Sequence, residues 1–388
     1  MKSFYKISLI CLTTALVIFG FYSCKTEINN PSPIEMQYFE DYTPPQYKWG
    51  FIGKSGEPVI DAIYDDLRDA NSKIIAANLK GKWGFIDLNG NKVVDHKYKQ
   101  AFDFSENRCF VQDFNNNWLL INEDGDSIKQ LPYTSFKPFK DGLSIVGQAN
   151  RYGVIDTSGS LIMNIIYPTL KYIKDGKFIA EKIKHGIINI KGNELLPFQF
   201  EKIYYSKTEV LRVKDDGLYA FYNIEKNMFS NDKYLKCYNF DGNFALVKTK
   251  SGYASVDKNF KKVHDFRYAY LEPIDGGFLK YKTSNNLYGI VDYKGNVMTK
   301  PEFELLNRYR SNMIVYSNNN LFGYLDNSGK ELISPILPLV WDFKDGLARI
   351  ITQNGIGFIN NKGKMVIEDQ FYEIKDFNNG IARYQSIR

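Results

Sequence analysis

The chain has 388 residues, 44% hydrophobic and 24% charged, with 50 Lys and Arg against 44 Asp and Glu. That balance suits a packed core and excludes wholesale disorder. A formal charge of +6, with the two signs interspersed, excludes the basic stripe of a nucleic-acid binder.

The first element is a targeting segment. A short basic head, "MKSFYK", precedes an uncharged apolar run over Ile7–Phe21. A spanning helix needs about 20 residues to cross the hydrocarbon core, so the shorter run reads as the helix of a signal peptide over residues 1–23. It ends in "FYSC", which resembles the lipobox of bacterial lipoproteins: Ser23 precedes the cut and Cys24 is the lipid attachment residue. Phe21 and Tyr22 are bulkier than that box usually carries. Residues 24–46 are polar and contain proline, as a flexible tether should be. The implied location is the cell envelope, at the outer membrane or cell surface, on a palmitate-type anchor. Beyond Cys11 and Cys24 the chain has only Cys109 and Cys237. These stand far apart at different phases of the pattern described next, so two buried thiols without a bridge are expected.

From residue 47 onward one phrase recurs. "KWGFIGKSGEPVID" at 48–61 becomes "KWGFIDLNGNKVVD" at 82–95. Ten copies begin at Trp49, Trp83, Trp118, Tyr152, His185, Tyr219, Tyr253, Tyr288, Phe322 and Ile356, in steps of 33 to 35 residues. The second position is glycine or alanine except at Leu119; a small residue inside a strand marks close approach of another backbone or ring. The fourth position is apolar in every copy, from Ile52 to Ile359. The fifth is Asp or Asn in nine copies, and glycine follows three residues later in eight. An Asp or Asn side chain accepts from the backbone two residues on, and glycine takes positive φ, so each phrase is a β-hairpin. A second phrase, as in "FKDGLSIV" and "FKDGLARI", adds a turn and a third strand. The expectation is an all-β chain of ten three-stranded repeats over residues 47–388. One such unit cannot bury both its faces, whereas stacked neighbours can.

"GKWGFIDLNG", "RYGVIDTSG", "LYGIVDYKG" and "LFGYLDNSG", joined by "DGLAR", resemble the WG-containing β-repeat of bacterial proteins. The resemblance implies an exported tandem-repeat protein without established catalysis, and it defines no ligand residues. The middle departs from the pattern: Leu119 replaces glycine, His185 replaces the ring, and Lys226 and Phe260 stand where the turn glycine belongs. Because the family's repeat number varies and ten units are many for a ring, an open superhelical array is expected. The alternative is a closed β-propeller-like ring.

No catalytic constellation emerges. His96, His185 and His264 do not cluster at ligand spacing, and no Walker loop, nucleophile elbow or zincin helix is present. "NEDGD" at 122–126 invites a calcium reading, but hairpin chemistry explains its Asp, Asn and Gly together. Neither a metal nor a cofactor is expected. Rings outside the repeat phase, Tyr204, Tyr205, Tyr268, Tyr270 and Trp341, are candidates for a ligand-facing surface. The reading is a non-enzymatic, membrane-anchored scaffold for another envelope protein, with glycan capture as the alternative and no nucleic-acid partner.

Overall fold

A computed structural model describes residues 47–387; the signal peptide over 1–23, Cys24 and the tether over 24–46 lie outside the described residues. Forty strands form ten four-stranded antiparallel sheets, and no helix occurs among the described residues. Blades 1 to 9 follow in chain order, covering residues 66–98, 100–131, 135–167, 170–200, 202–229, 236–266, 270–303, 305–337 and 339–371. Blade 10 joins the two ends of the fold. Its strands Glu373–Asn378 and Ile381–Ile387 continue into Tyr47–Gly53 and Pro58–Tyr64.

That tenth sheet corrects the open array. Seven consecutive pairs, from Tyr47 opposite Ile387 to Gly53 opposite Ile381, zip the first strand to the last. The ten blades therefore close into a ring, a β-propeller. The blades are also richer by one strand than expected. A short first strand, such as Asp66–Leu67, follows the return strand of the preceding blade after a single residue. In blades 1, 2, 3, 6 and 9 this strand has only two residues, too few to show an alternation, so the sequence pattern does not reveal it there.

The core lies between blades. In the third strand of blade 1, Phe85 packs with Ala101, Phe104, Cys109 and Val111 of blade 2. Its neighbour Ile86 turns the other way, onto Phe51, Ile60 and Tyr64 of blade 10. Successive side chains on a strand point to opposite faces, and here both faces are buried. This is why the third and fourth positions of the phrase are both apolar.

The phrase's glycine has a separate cause. Between the first and third positions the third strand spends two residues, but the return strand spends four in all seven glycine-bearing blades. The bulge carries the return strand over the glycine: a Cβ on Gly50 would stand 2.4 Å from the Ile60 carbonyl oxygen, and one on Gly153 2.4 Å from that of Met163. Blades 2 and 6 have no bulge there. Leu119 pairs directly with Gln130 and Ala254 with Asp265, so a side chain is tolerated. In blade 5 the return strand leaves Ala220 altogether, and Ser230 Oγ accepts the Phe221 N–H at 3.1 Å.

Candidate ligand groove

Between the first and second strands, blades 1, 2, 3, 5, 6 and 9 carry an open stretch, whereas in blades 4, 7, 8 and 10 a two-residue turn joins the strands directly. In blades 2, 3, 6 and 9 a buried phenylalanine anchors that stretch, Phe104, Phe139, Phe240 and Phe343, and in blade 10 Phe377 holds the same place near the end of the first strand. Phe104 meets Phe85 of the preceding blade edge to face at 4.8 Å, and Phe343 and Phe377 meet Tyr324 and Phe358 in the same way.

Hydrogen bonds from blade to blade hold the stretches in register. Glu106 of blade 2 accepts from the backbone N–H groups of Asp141 and Gly142 of blade 3, at 2.7 and 2.8 Å. The Tyr172 hydroxyl of blade 4 donates to Asp141 at 2.6 Å. Asp241 of blade 6 accepts from Gly277 N–H at 2.7 Å, and Arg310 of blade 8 donates to Asp275 at 2.6 Å. Burial pushes the Asp241 carboxyl above its ordinary range despite that donor, and the negative charge of Asp275 adds to the effect.

Three clefts open along these stretches. The first, about 500 Å³, is lined by Lys137, Lys140, Lys171, Tyr172, Phe178 and Tyr205 among others. The second, about 520 Å³, takes in Tyr205, Lys207, Asp241, Asp275, Arg308 and Arg310. The third, about 240 Å³, shares Asp241, Asp275 and Arg308 with the second and adds Arg212, Tyr238 and Glu272. Tyr205 belongs to both the first and the second, so the clefts follow one another as a groove from blade 3 to blade 8.

Of the five off-phase rings only Tyr205 lines the groove. Tyr204 lies under the Arg212 guanidinium at 4.8 Å, and Trp341 under that of Arg349 at 4.4 Å. Tyr268 is stacked on Tyr281 at 4.3 Å, and the Tyr270 hydroxyl donates to Glu272 at 2.6 Å. The sequence reading missed Tyr172, Tyr238, Lys137 and Arg308. Their signal is the alternation of rings and cations just after each return strand, as in "SFKPFK" and "LKYIK".

The residues weighed for metal or catalysis stand apart. His96, His185 and His264 sit in blades 1, 4 and 6. Burial lowers the affinity of His96 for a proton, and its ring lies 6.0 Å from that of Tyr64. In "NEDGD", Asn122 Oδ1 accepts from the Asp126 N–H at 2.8 Å as a turn. No group of three His, Cys, Asp or Glu that could hold a metal ion occurs among the described residues. Cys109 and Cys237 are buried free thiols, and burial pushes both well above the ordinary thiol range.

Ten four-stranded blades closed by their own termini define a tandem-repeat β-propeller with a groove along its first strands. Six segments, residues 49–83, 83–118, 186–219, 288–322, 322–355 and 356–386, match the WG containing repeat. They cover just over half of the chain, which belongs to that family. No curated protein matches the sequence. Among solved structures the chain is similar to a eukaryotic initiation factor, at 14% identity over 73% of this chain and 92% of that one, with a TM-score of 0.46. BamB from Moraxella catarrhalis matches at 11% identity over 68% and 88% of the two chains, with a TM-score of 0.32. PorZ, a surface component of the type-IX secretion system of Porphyromonas gingivalis, matches at 10% over 82% and 55%, with a TM-score of 0.27. Likenesses of this degree bear on neither activity nor partner.

Proposed function

We propose that this propeller is a non-catalytic scaffold that binds an extended segment of another envelope protein along the groove from blade 3 to blade 8. The observation that carries the reading is the linear succession of three clefts joined at Tyr205 and lined by rings and charges of both signs. Extended segments suit such a site because successive side chains can enter successive pockets. Arg308 and Lys207 support it further: both are exposed at the groove, and neither side chain makes a hydrogen bond or ion pair with any described residue.

A lipid on Cys24 would hold the chain at the outer membrane or cell surface, with residues 24–46 as the tether. The non-enzymatic reading rests on the turn carboxylates. Asp87, Asp156, Asp292 and Asp326 each accept from two backbone N–H groups of their own hairpin, which spends them on structure. Glycan capture is the second reading, favoured by two half-buried tyrosines, Tyr172 and Tyr205, in one cleft.

The test is capture of detergent-solubilised envelope proteins by the full chain, compared with Tyr205→Ala and Arg308→Glu. A stoichiometric partner retained by the native chain and lost by both variants is expected. A partner retained equally by all three would sink the groove as its binding site. Retention of acidic or neutral polysaccharide in place of any protein would favour the second reading.

A further inference from the structure

The two ends of the groove differ in character. At the blade 3–4 end the lining has three lysines, Lys137, Lys140 and Lys171, and no carboxylate. At the other end Asp241, Asp275 and Glu272 are interspersed with Arg212, Arg308 and Arg310.

None of the three lysines has an acidic partner among the described residues. Two of them rest on rings instead: the Lys140 ammonium is 5.4 Å from the Tyr172 ring centre, and that of Lys171 is 4.4 Å from that of Tyr205. A ring positions an ammonium without cancelling its charge. Of the acids nearby, Glu106 is held by two backbone N–H groups, while Asp141, which accepts from the Tyr172 hydroxyl, and Asp175 stand beside the Tyr172 ring without pairing to any of the three lysines. The remaining lining is apolar: Pro138, Leu143, Ile145, Leu170 and Phe178, with the Phe178 ring edge-on to Tyr172 at 5.2 Å.

We propose that this lysine-rimmed cleft is the anchor of the groove and takes an acidic stretch of the partner protein that also carries aromatic or aliphatic side chains. The inference rests on the groove reading above and deepens it. A neutral apolar occupant would draw three ammonium groups out of water with nothing to balance them. A purely anionic one would leave the apolar floor uncovered. A segment alternating Glu with Phe satisfies both, because its two kinds of side chain point to opposite sides of an extended backbone.

The experiment measures fluorescence anisotropy of a labelled peptide of alternating Glu and Phe titrated with the full chain in detergent. A Gln/Phe analogue and a chain carrying Lys137→Gln, Lys140→Gln and Lys171→Gln are the comparisons. Circular dichroism and the urea midpoint confirm that the triple variant is folded; all three lysines are exposed. The Glu/Phe peptide is expected to bind at least about tenfold more tightly than Gln/Phe, with the preference abolished in the triple variant and weakened by salt. Equal binding of the two peptides, an unaltered preference in the triple variant, or no Glu/Phe binding up to about 1 mM would each overturn the proposal. So would capture of a uronic-acid oligosaccharide by the lysines in place of the peptide. If Arg308→Glu abolishes partner capture while the triple variant retains it, the groove reading stands and the anchor falls.

Discussion

At Gly84 a Cβ would lie 2.7 Å from the His96 backbone nitrogen, inside contact distance of a strand that cannot move without breaking its pairing. Gly84→Ala should therefore cost about 1–3 kcal/mol, the ordinary range for overpacking. Ala254→Gly, where the return strand pairs residue for residue, should cost only about 0.5–1 kcal/mol through lost chain stiffness. Urea unfolding of both variants measures the contrast; equal losses would remove the bulge as the reason for the glycine. The glycine column itself is plain in the sequence, but its exceptions are not explained there, because the bulge belongs to the partner strand. His96, on that bulge, makes a second prediction. Burial lowers its pKa from the ordinary 6.5, so the unfolded chain takes up this proton before the folded one does. Its contribution to stability is intact above pH 6.5 and falls as the pH drops from there toward the folded value. His96→Gln should flatten that part of the stability-against-pH curve. An unchanged slope would show that another group carries it.

Nine of the ten turns before the return strand are organised by one carboxylate or amide, the exception being the Gly53 turn of blade 10. Asp326 accepts from Ser328 N–H at 2.8 Å, Ser328 Oγ–H at 2.6 Å and Lys330 N–H at 3.0 Å, and the Ser328 hydroxyl leads the donors that hold its carboxyl below the ordinary range. Asp326→Ala should destabilise the fold by about 1–2 kcal/mol at neutral pH, since it leaves two turn N–H groups without their acceptor. The difference from the native chain should shrink as the pH falls below 3.8, because a depressed carboxyl contributes only while ionised. A difference that persists at pH 2, measured by thermal melting, would locate the effect outside the ionised form. These turns were legible because their chemistry is local. The two turns lacking glycine show how a blade absorbs the loss. Asn227 takes positive φ, one place after Lys226, whereas Phe260 adopts φ of 64° itself. The Phe260 ring stacks on Phe221 at 5.7 Å and packs near Phe240, which over-determines a backbone that a bulky residue otherwise avoids. The two-residue first strands of blades 1, 2, 3, 6 and 9 were illegible for the opposite reason: two residues carry no period, and only their pairing to the second strand of the blade defines them.

Curvature is a property of the whole molecule that the repeat does not state, since a 34-residue period is compatible with a coil or a ring. Closure is decided by whether the last strand finds the first, and contacts across the seam repeat those inside the ring. In the interior, Arg349 of blade 9 donates to the Ile374 carbonyl oxygen at 2.9 Å and to Asp376 at 2.5 Å, beneath which Trp341 supplies a ring at 4.4 Å. Across the seam, Arg383 of blade 10 donates to the Leu67 carbonyl oxygen and pairs with Asp69 at 3.1 Å, although that approach is not aligned as a hydrogen bond. It lies over Trp49 at 4.6 Å, and Asn379 reaches the Ala70 carbonyl oxygen at 2.7 Å beside it. The two arginines are both largely buried, 12% and 16% exposed, so they share the same dielectric setting. In a closed ring Arg383→Ala and Arg349→Ala should each cost about 2 kcal/mol, the range for hydrogen bonds made by a charged group. An open array makes a different prediction, because there Arg383 would have no Leu67 or Asp69 within reach and its loss would be silent. Urea unfolding of the two single variants distinguishes the cases, and the double variant adds a check. The sites lie on different blade junctions without shared partners, so their losses should sum. A silent Arg383→Ala beside a costly Arg349→Ala would mean that the seam is unzipped in solution and the ring open.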